Sequence, residues 1–184
     1  MGEEAGYEEC EWIEYEDKYV LRAKGEMTKP VSIITELMMI EVDKEFRPLR
    51  FVFKGNVQGV VQEIESTVSQ GMVKNTGRAG EKTFETTSKI SSDALILPNS
   101  FFSPYLILAK KTKGLKEKMT FKAFVVPQME LNINVEPDSE NVNLFHINFV
   151  GLKMELMTDE EGYVSLLSVP SQMMEARAEK MEIE

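Results

Sequence analysis

The sequence predicts a mainly β protein: a large curved antiparallel sheet or half-open β-barrel, built as a meander, with one short inserted helix near residues 103–113. Three observations predict this fold. Apolar residues recur at every second position over most of the chain, which is the periodicity of a half-buried strand. Turn residues separate these stretches at short spacing. One stretch interrupts the alternation with a continuous apolar run.

The alternation is clearest in the first third of the chain. In Tyr19–Met27 the odd-numbered residues are apolar or small and most of the even-numbered ones are charged, so one face of this strand is predicted to be buried. Val31–Val42 continues the pattern and places Leu37 and Met39 on its apolar face. The turn Asp43-Lys44-Glu45 then leads into a strand at Phe46–Lys54.

The rest of the chain repeats this arrangement of short strands and turns. Further strands are predicted at Val60–Val68, Gly71–Thr76, Lys82–Lys89, Met119–Val126, Glu130–Val135, Val142–Val150, Leu152–Met157 and Tyr163–Val169, with a last short strand or tail at Met173–Lys180. Hairpin turns are predicted at Gly55-Asn56, Gln70-Gly71, Asn75-Thr76-Gly77, Glu136–Asn141 and Asp159–Gly162. Because strands joined by tight turns pair with their sequence neighbours, we expect one antiparallel β domain over residues 1–184.

The single helix is predicted from its end signals. Ser103 can cap the N-terminus, and Pro104 suits the first helical position, where its missing N–H costs nothing. The run Tyr105–Ala109 is apolar on every side, so the helix must be buried on most sides. Gly114 ends it. Three lysines precede that glycine and favour the negative end of the helix: Lys110, Lys111 and Lys113.

Composition excludes several classes of function. The net charge of −10 argues against a nucleic-acid partner, since neutralising phosphates needs a basic face. The longest apolar runs are far shorter than the roughly 20 residues that span a bilayer. Met1–Glu4 shows neither the basic start nor the apolar stretch of an export signal. Cys10 is the only cysteine, which excludes an internal disulfide and a cysteine-based metal site.

Catalytic machinery is not recognisable, and we predict no enzyme activity, no cofactor and no metal site. His146 is the only histidine, and the favoured interpretation is a strand residue bonded to a neighbour. Carboxylates around Cys10 should raise the pKa of its thiol and make it a poor nucleophile. Asp159–Gly162 lacks the spacing of a calcium loop. An enzyme that uses carboxylates or His146 stays open as a third hypothesis, and it needs His146 in a cleft with a carboxylate within hydrogen-bond reach.

Two features stand out against this background. The chain contains 12 methionines, whose adaptable side chains suit irregular apolar partners, although filling gaps in an ordinary core is the favoured explanation. A basic stretch directly follows the apolar helix: Lys110, Lys111, Lys113, Lys116, Lys118 and Lys122. An apolar helix followed by a group of lysines suits an amphiphilic ligand with an anionic head group. The alternative is a solvated helix end that serves solubility.

The order of these parts resembles a known superfamily. The segments that prompt the comparison are Tyr19–Met27, Val31–Val42, Asp43–Pro48, Leu97–Tyr105, Val126-Pro127-Gln128, Asp159–Gly162 and Val169–Gln172. They resemble the LolA/LolB-like lipoprotein-carrier superfamily of bacterial periplasmic domains and its relatives of unknown function. The resemblance implies a curved sheet half-closed around an apolar cavity, with short helices at its mouth. It also implies a location in the periplasm or cell envelope.

These observations lead to a first hypothesis of a non-catalytic module that binds a hydrophobic ligand, an acyl chain or lipid, in the concave face of a half-barrel. The predicted lining residues are Leu37, Met39, Phe51, Phe53, Phe101, Phe102, Tyr105, Leu106, Leu108, Phe124, Met154 and Leu156, with Lys110, Lys111 and Lys113 at the head group. The alternative is a structural or interaction domain of the cell envelope with a packed core and no ligand. It would act with an envelope protein or as a homodimer formed through open sheet edges.

Overall fold

The computed structural model describes residues 4–98, 100–127 and 129–179. It confirms the predicted fold class, because strands hold 61% of the residues and one short helix is present in the part of the chain described. The strands form two antiparallel-rich sheets, and one sheet is curled as a half-barrel. Within the described ranges, no helix has the length and apolar character needed to cross a membrane.

The first sheet contains seven strands in the order of the sequence, each antiparallel to the next where the pairings are described. Its strands are β1 (Gly6–Glu14), β2 (Lys18–Met27), β3 (Ile33–Asp43), β4 (Pro48–Val57), β5 (Val60–Ser69), β6 (Met72–Ala79) and β7 (Lys82–Lys89). β1 and β7 are therefore its two edges. This arrangement is the meander that the tight turns predict.

The second sheet also contains seven strands and also follows sequence order, from β14 back to β8. Its elements are β8 (Leu95–Ile96), β9 (Met119–Val125), β10 (Met129–Pro137), β11 (Leu144–Phe149), β12 (Leu152–Thr158), β13 (Val164–Val169) and β14 (Met174–Arg177), with a 3-10 turn at Pro170–Gln172. The helix α1 (Tyr105–Thr112) lies between β8 and β9 in the sequence.

The chain divides into two compact units. The first extends to Pro104 and includes Phe124–Glu130, and the second comprises Tyr105–Ala123 and the chain from Leu131 onward. The first unit therefore holds the whole first sheet, and the second holds the helix and most of the second sheet. A single domain over residues 1–184 remains a prediction.

The alternation in β2 is confirmed, because Leu21, Ala23 and Met27 are buried while Arg22 and Lys24 are exposed. Such a strand is stabilised by burying every second side chain, and the charged residues between them remain in water.

The sheet face predicted for the side chains of Leu37 and Met39 is wrong. A β-bulge lies in β3, where one more residue than in β2 or β4 separates Thr35 from Met38. An extra residue transfers all later side chains to the other face, because strand periodicity is two. Met38 and Ile40 consequently point into the core, whereas Leu37 and Met39 are half-buried on the opposite face.

Two predicted turns are also wrong. Gly55 and Gly77 lie inside β4 and β6, and the chain reverses at Gln58-Gly59 and at Gly80-Glu81 instead. Both glycines are required by close packing, since a Cβ on Gly55 would come within 2.9 Å of the Phe53 ring and one on Gly77 within 2.7 Å of the Phe84 ring. The Gln70-Gly71 turn is confirmed, with φ angles of 51° and 72° that suit a two-residue hairpin.

The remaining strand predictions agree with the structure to within about two or three residues at the ends, the usual uncertainty of helix and strand boundaries. Lys180, at the end of the last predicted strand, lies outside the described residues, as do Asn99 and Gln128 of the segments that prompted the family resemblance. β1 and β8 were not predicted as strands. β1 is rich in glutamate and β8 has only two residues, so neither shows a clear alternation.

The helix prediction is confirmed for its body and corrected at its start. Leu106, Ile107, Leu108 and Ala109 are all buried. The Ser103 hydroxyl does not cap the helix, since it is buried and has no hydrogen-bond partner in the described structure. Pro104 precedes the first helical residue rather than occupying it. At the C-terminus Gly114 adopts a φ of +80°, as expected for a glycine that ends a helix.

Candidate functional site

The first candidate site is the face of the first sheet that carries Leu21, Ile40 and Phe51, called here the apolar face. These three residues lie directly opposite one another on β2, β3 and β4 and are at most 2% exposed. Met38 and Phe53 form a second buried pair on the same face. Burying one such side chain stabilises a fold by about 1.5–3 kcal/mol, so this face anchors the first sheet.

Toward one end, the apolar face continues into three half-buried rings, called here the aromatic row: Trp12, Tyr19 and Phe46. Trp12 lies opposite Leu21 in the register of β1 and β2 and so points to the same side. The rings stack with centroid distances of 5.1 Å between Trp12 and Tyr19 and 5.3 Å between Tyr19 and Phe46. Apolar surface on this face therefore extends from fully buried side chains to partly solvent-accessible ones.

A second set of aromatic rings comes from the segment before the helix. Phe101 packs edge-on against Phe53, with ring centroids 5.6 Å apart, and both Phe101 and Phe102 are half-buried. Glu8 on β1 fixes this segment, because its two carboxylate oxygens accept hydrogen bonds of 2.9 Å from the backbone N–H groups of Phe102 and Ser103. A carboxylate that accepts two backbone N–H groups is a strong, charge-assisted anchor.

Across β5 and β6 the same face carries two buried polar residues among its apolar ones. Ser66 lies opposite Phe51, and Asn75 lies opposite Ser66, and both polar residues are fully buried. The Asn75 amide donates to the Thr86 hydroxyl and to the Pro127 carbonyl at 3.2 and 3.4 Å. Ser66 Oγ and Asn75 Oδ1 have no partner among the residues that the structure describes. The predicted lining residue Phe124 lies nearby in a buried cluster with Val73, Ile90 and Ala94.

The other predicted lining residues belong to the second unit. Leu106 and Leu108 on α1 are buried, and so are Met154 and Leu156 on β12. Tyr105 at the start of the helix is half-buried, and this burial raises the pKa of its phenol to about 12. The predicted set is therefore divided between the two units. In the first unit Phe51, Phe53 and Phe101 lie together, whereas Leu37 and Met39 lie on the opposite face of the sheet and Phe124 belongs to the cluster around Val73.

The three head-group lysines also belong to the second unit, where they contact its own residues. Lys110 Nζ donates to the Glu161 carbonyl at 3.0 Å and lies 3.4 Å from the centroid of the Tyr163 ring. Lys111 Nζ lies 5.9 Å from the Phe121 ring centroid. Lys113 is exposed, and its stem passes Gly162. Lys110 and Lys113 thus contact the Asp159–Gly162 turn. A head-group role for the three lysines remains a prediction.

A second candidate site, which the sequence analysis missed, is a cavity of about 570 Å³ on the polar face of β10, β11 and β12, called here the polar cavity. Its lining residues are Lys118, Asn134, Glu136, His146, Ile147, Asn148, Gly151, Lys153, Met154, Glu155, Pro170 and Ser171. Every one of them belongs to the second unit. The alternation on each strand shows which residues share a face, but it does not fix the register that brings residues of neighbouring strands opposite one another.

His146 lies in this cavity, and its Nε2 is 3.0 Å from Asp138 Oδ2. This bond, together with backbone N–H groups of Glu140 and Asn141, lowers the pKa of the Asp138 carboxyl to about 2. The predicted strand histidine with a bonded neighbour is thus confirmed, and the pair has the geometry that the third hypothesis requires. Ser171 borders the same cavity, but no hydrogen bond to His146 is present among the described residues.

Metal binding and nucleophilic chemistry of the cysteine have less support. Over the described part of the chain, no group of three or more His, Cys, Asp or Glu residues is arranged to hold a metal ion. Burial, and to a lesser degree the Glu8 carboxylate, raises the pKa of the Cys10 thiol, which makes it a weak nucleophile.

Comparison with known proteins identifies a fold and no activity. No family model matches the chain, and no curated protein matches it. The chain is similar in structure to a DUF1089 family protein from Pseudomonas aeruginosa, with a TM-score of 0.58 and 12% sequence identity over 89% of each chain. At this identity the similarity concerns the fold alone, and the resemblance to lipoprotein carriers remains a prediction.

Proposed function

We propose that this chain is a non-catalytic binding module that holds a hydrophobic ligand, such as an acyl chain or lipid, against the apolar face of a half-barrel sheet. The observation that carries the proposal is the continuity of that face. Buried Leu21, Ile40 and Phe51 adjoin the aromatic row, whose rings remain half-buried. A hydrophobic ligand gains most free energy by leaving water where partly accessible apolar surface adjoins a buried core.

The driving force would be the removal of apolar area from water. Each buried CH₂ group contributes about 0.8 kcal/mol, so eight methylenes contribute roughly 6 kcal/mol before the cost of ordering the chain is subtracted. Aromatic side chains suit this task because they present large, rigid apolar faces.

The entry route in this proposal is the segment anchored by Glu8. Phe101 packs edge-on against Phe53, and the segment is fastened by the two N–H bonds of Phe102 and Ser103 to the Glu8 carboxylate. Moving Phe101 would uncover a buried ring on the apolar face without disturbing the strand pairing of β2, β3 and β4.

The first experiment asks whether a ligand is present. The purified protein is extracted with organic solvent, the extract is analysed for lipids by mass spectrometry, and the binding of an apolar fluorescent dye is titrated. We expect bound lipid or saturable dye binding. Absence of both contradicts the proposal and favours the alternative of an interaction domain with a packed core.

A variant pair then locates the site. Phe101→Asp places a charge on the segment that borders the apolar face and should weaken dye binding by about tenfold, equivalent to about 1.4 kcal/mol. Val142→Asp is the matched control, because Val142 is 84% exposed and lies in the second unit. Equal dye affinity in the two variants would contradict the assignment of the site to the apolar face.

The proposal extends to location and partners. A carrier of this type would act in the periplasm or cell envelope, with a lipid or an envelope protein as partner. Homodimer formation through β1 would bring two glutamate-rich edges together, since Glu8, Glu9 and Glu11 all lie on that strand. Like charges on facing edges oppose such pairing, so we propose that the chain acts without it.

A further inference from the structure

The polar cavity has the size of a small-molecule site and a chemical pattern of its own. Its volume of about 570 Å³ falls within the usual range for ligand pockets. Four of its lining residues have ionisable side chains, two of them basic and two acidic: Lys118, Lys153, Glu136 and Glu155. This balance is local, since the whole chain has a net charge of −10.

The strand register arranges the polar side chains in two rows. Glu136, His146 and Glu155 lie opposite one another on β10, β11 and β12 and form an acceptor-rich row. Asn134, Asn148 and Lys153 lie opposite one another on the same strands and form a donor-bearing row. Residues two apart on a strand point to one face, so the rows run side by side at a separation of about 7 Å.

Part of this hydrogen-bonding capacity is already used inside the protein. Glu136 lies 3.6 Å from Lys118, Asn134 Oδ1 accepts from Thr120, and Asn148 Oδ1 accepts from the Gly151 N–H. Lys153 and Glu155, adjacent on the polar face of β12, have no ion pair among the described residues. One cation and one anion at neighbouring positions of the rows are therefore available to a ligand.

We propose that the polar cavity binds a small zwitterion, in which an anionic group and a protonated amine are separated by a short chain. The anionic group would be held by the Lys153 ammonium and the Asn148 amide, and the amine by the Glu155 carboxylate. A ligand with a single charge would be attracted by one of these two residues and repelled by the other, because Lys153 and Glu155 are only two residues apart. This site is independent of the proposed apolar-ligand site.

The groups are solvent-exposed, so binding should be weak and sensitive to salt. Amide NMR spectra of the whole chain suit weak binding and report on individual residues. The probe is γ-aminobutyrate, and the single-charge controls are butyrate and butylamine. We expect the zwitterion to shift the amides of Asn148, Lys153 and Glu155 with saturation. Each single-charge compound should bind at least about fivefold more weakly, the difference that one partly solvated charge pair of about 1 kcal/mol supplies.

Free zwitterions and lipid head groups share this chemistry, so a second arm compares phosphoethanolamine with vesicles of phosphatidylethanolamine. Shifts with both indicate a lipid head group as source, and shifts with phosphoethanolamine alone indicate a soluble one. Either result supports a zwitterion site, whereas the absence of shifts at these three amides with every zwitterionic probe overturns it.

Variants test the assigned contacts. Lys153→Met keeps the aliphatic stem and removes the charge, and Glu155→Gln keeps the shape, so both should fold normally and bind γ-aminobutyrate about fivefold more weakly. The matched controls are Lys122→Met, whose ammonium bonds to Asn132 outside the cavity lining, and Glu175→Gln on β14. Unchanged affinity in Lys153→Met and Glu155→Gln, or equal losses in the controls, contradicts the assignment.

Discussion

The apolar face of the first sheet and the polar cavity of the second are both made from one face of adjacent antiparallel strands, yet they hold opposite kinds of side chain. On the apolar face, Leu21, Ile40 and Phe51 are buried and uncharged. In the polar cavity, Glu136, His146 and Glu155 occupy the equivalent positions of a cross-strand row and are exposed. The difference teaches that the apolar face supports the fold through its buried side chains, whereas the exposed row of the polar cavity can change with little effect on stability.

The largest expected effect on stability comes from truncating a buried side chain of the apolar face. Phe51→Ala removes a ring that is 2% exposed, so the free energy of unfolding should fall by about 3–5 kcal/mol. Lys153→Met in the polar cavity should change it by no more than about 0.5 kcal/mol. Urea unfolding of both variants measures the contrast. Comparable losses in the two variants would show that the regions do not differ in this way.

The Glu8 anchor should give the next largest effect. Glu8→Ala leaves the N–H groups of Phe102 and Ser103 without their acceptor, and we expect a loss of about 1–3 kcal/mol in the free energy of unfolding. Glu11→Ala on the same strand is the control and should be nearly neutral, because Glu11 is exposed. If the two variants unfold at the same urea concentration, the anchor contributes nothing measurable.

Tyr105 offers a test of burial at the start of the helix. Burial raises the pKa of its phenol from 10.0 to about 12, so the folded state favours the neutral ring. The associated stability is complete below about pH 10 and is lost as the pH rises through 12. An absorbance titration of tyrosine ionisation should show a step near pH 12 that is absent from the Tyr105→Phe variant. A wild-type titration identical to that of the variant would contradict the burial of this side chain.

The smallest expected effect concerns Asp138 beside the polar cavity. Its folded-state pKa of about 2 lies below the ordinary value of 3.8, so its contribution to stability is present above about pH 4 and is lost as the pH falls toward 2. The melting temperature of Asp138→Asn should therefore be lower than that of the wild type at neutral pH, and the two should converge in acid. A difference that stays constant with pH would rule out the His146–Asp138 bond as its cause.

The sequence predicts the fold class and most strands because alternation and turn residues are local signals. It predicted β2 correctly, and it failed in β3, where a single extra residue between Thr35 and Met38 exchanged the faces of Leu37 and Met39. Gly77 was misread for a similar reason, because a glycine required by close strand packing looks the same as a turn glycine. Bulges and close approaches depend on neighbouring strands, and no local pattern shows them.

The candidate sites were predictable in part. Phe51 and Phe53 are buried, as expected for an apolar face, and their role in lining a ligand site remains a prediction. His146 was correctly interpreted as a strand residue with a bonded neighbour. The Glu8 anchor was missed because its partners lie more than 90 residues away in sequence. The polar cavity was missed because it depends on the register of three strands, which brings Glu136, His146 and Glu155 into one row.

The most direct test of ligand binding on the apolar face uses Trp12, the only tryptophan of the chain and a member of the aromatic row. Bromine atoms quench indole fluorescence only at short range, so a brominated fatty acid or alcohol bound on this face should quench Trp12. Ligand binding on the apolar face predicts saturable quenching that an unbrominated competitor reverses and that Phe101→Asp weakens. Fluorescence that shows no saturable change, in a protein that is folded under the same conditions, would contradict it.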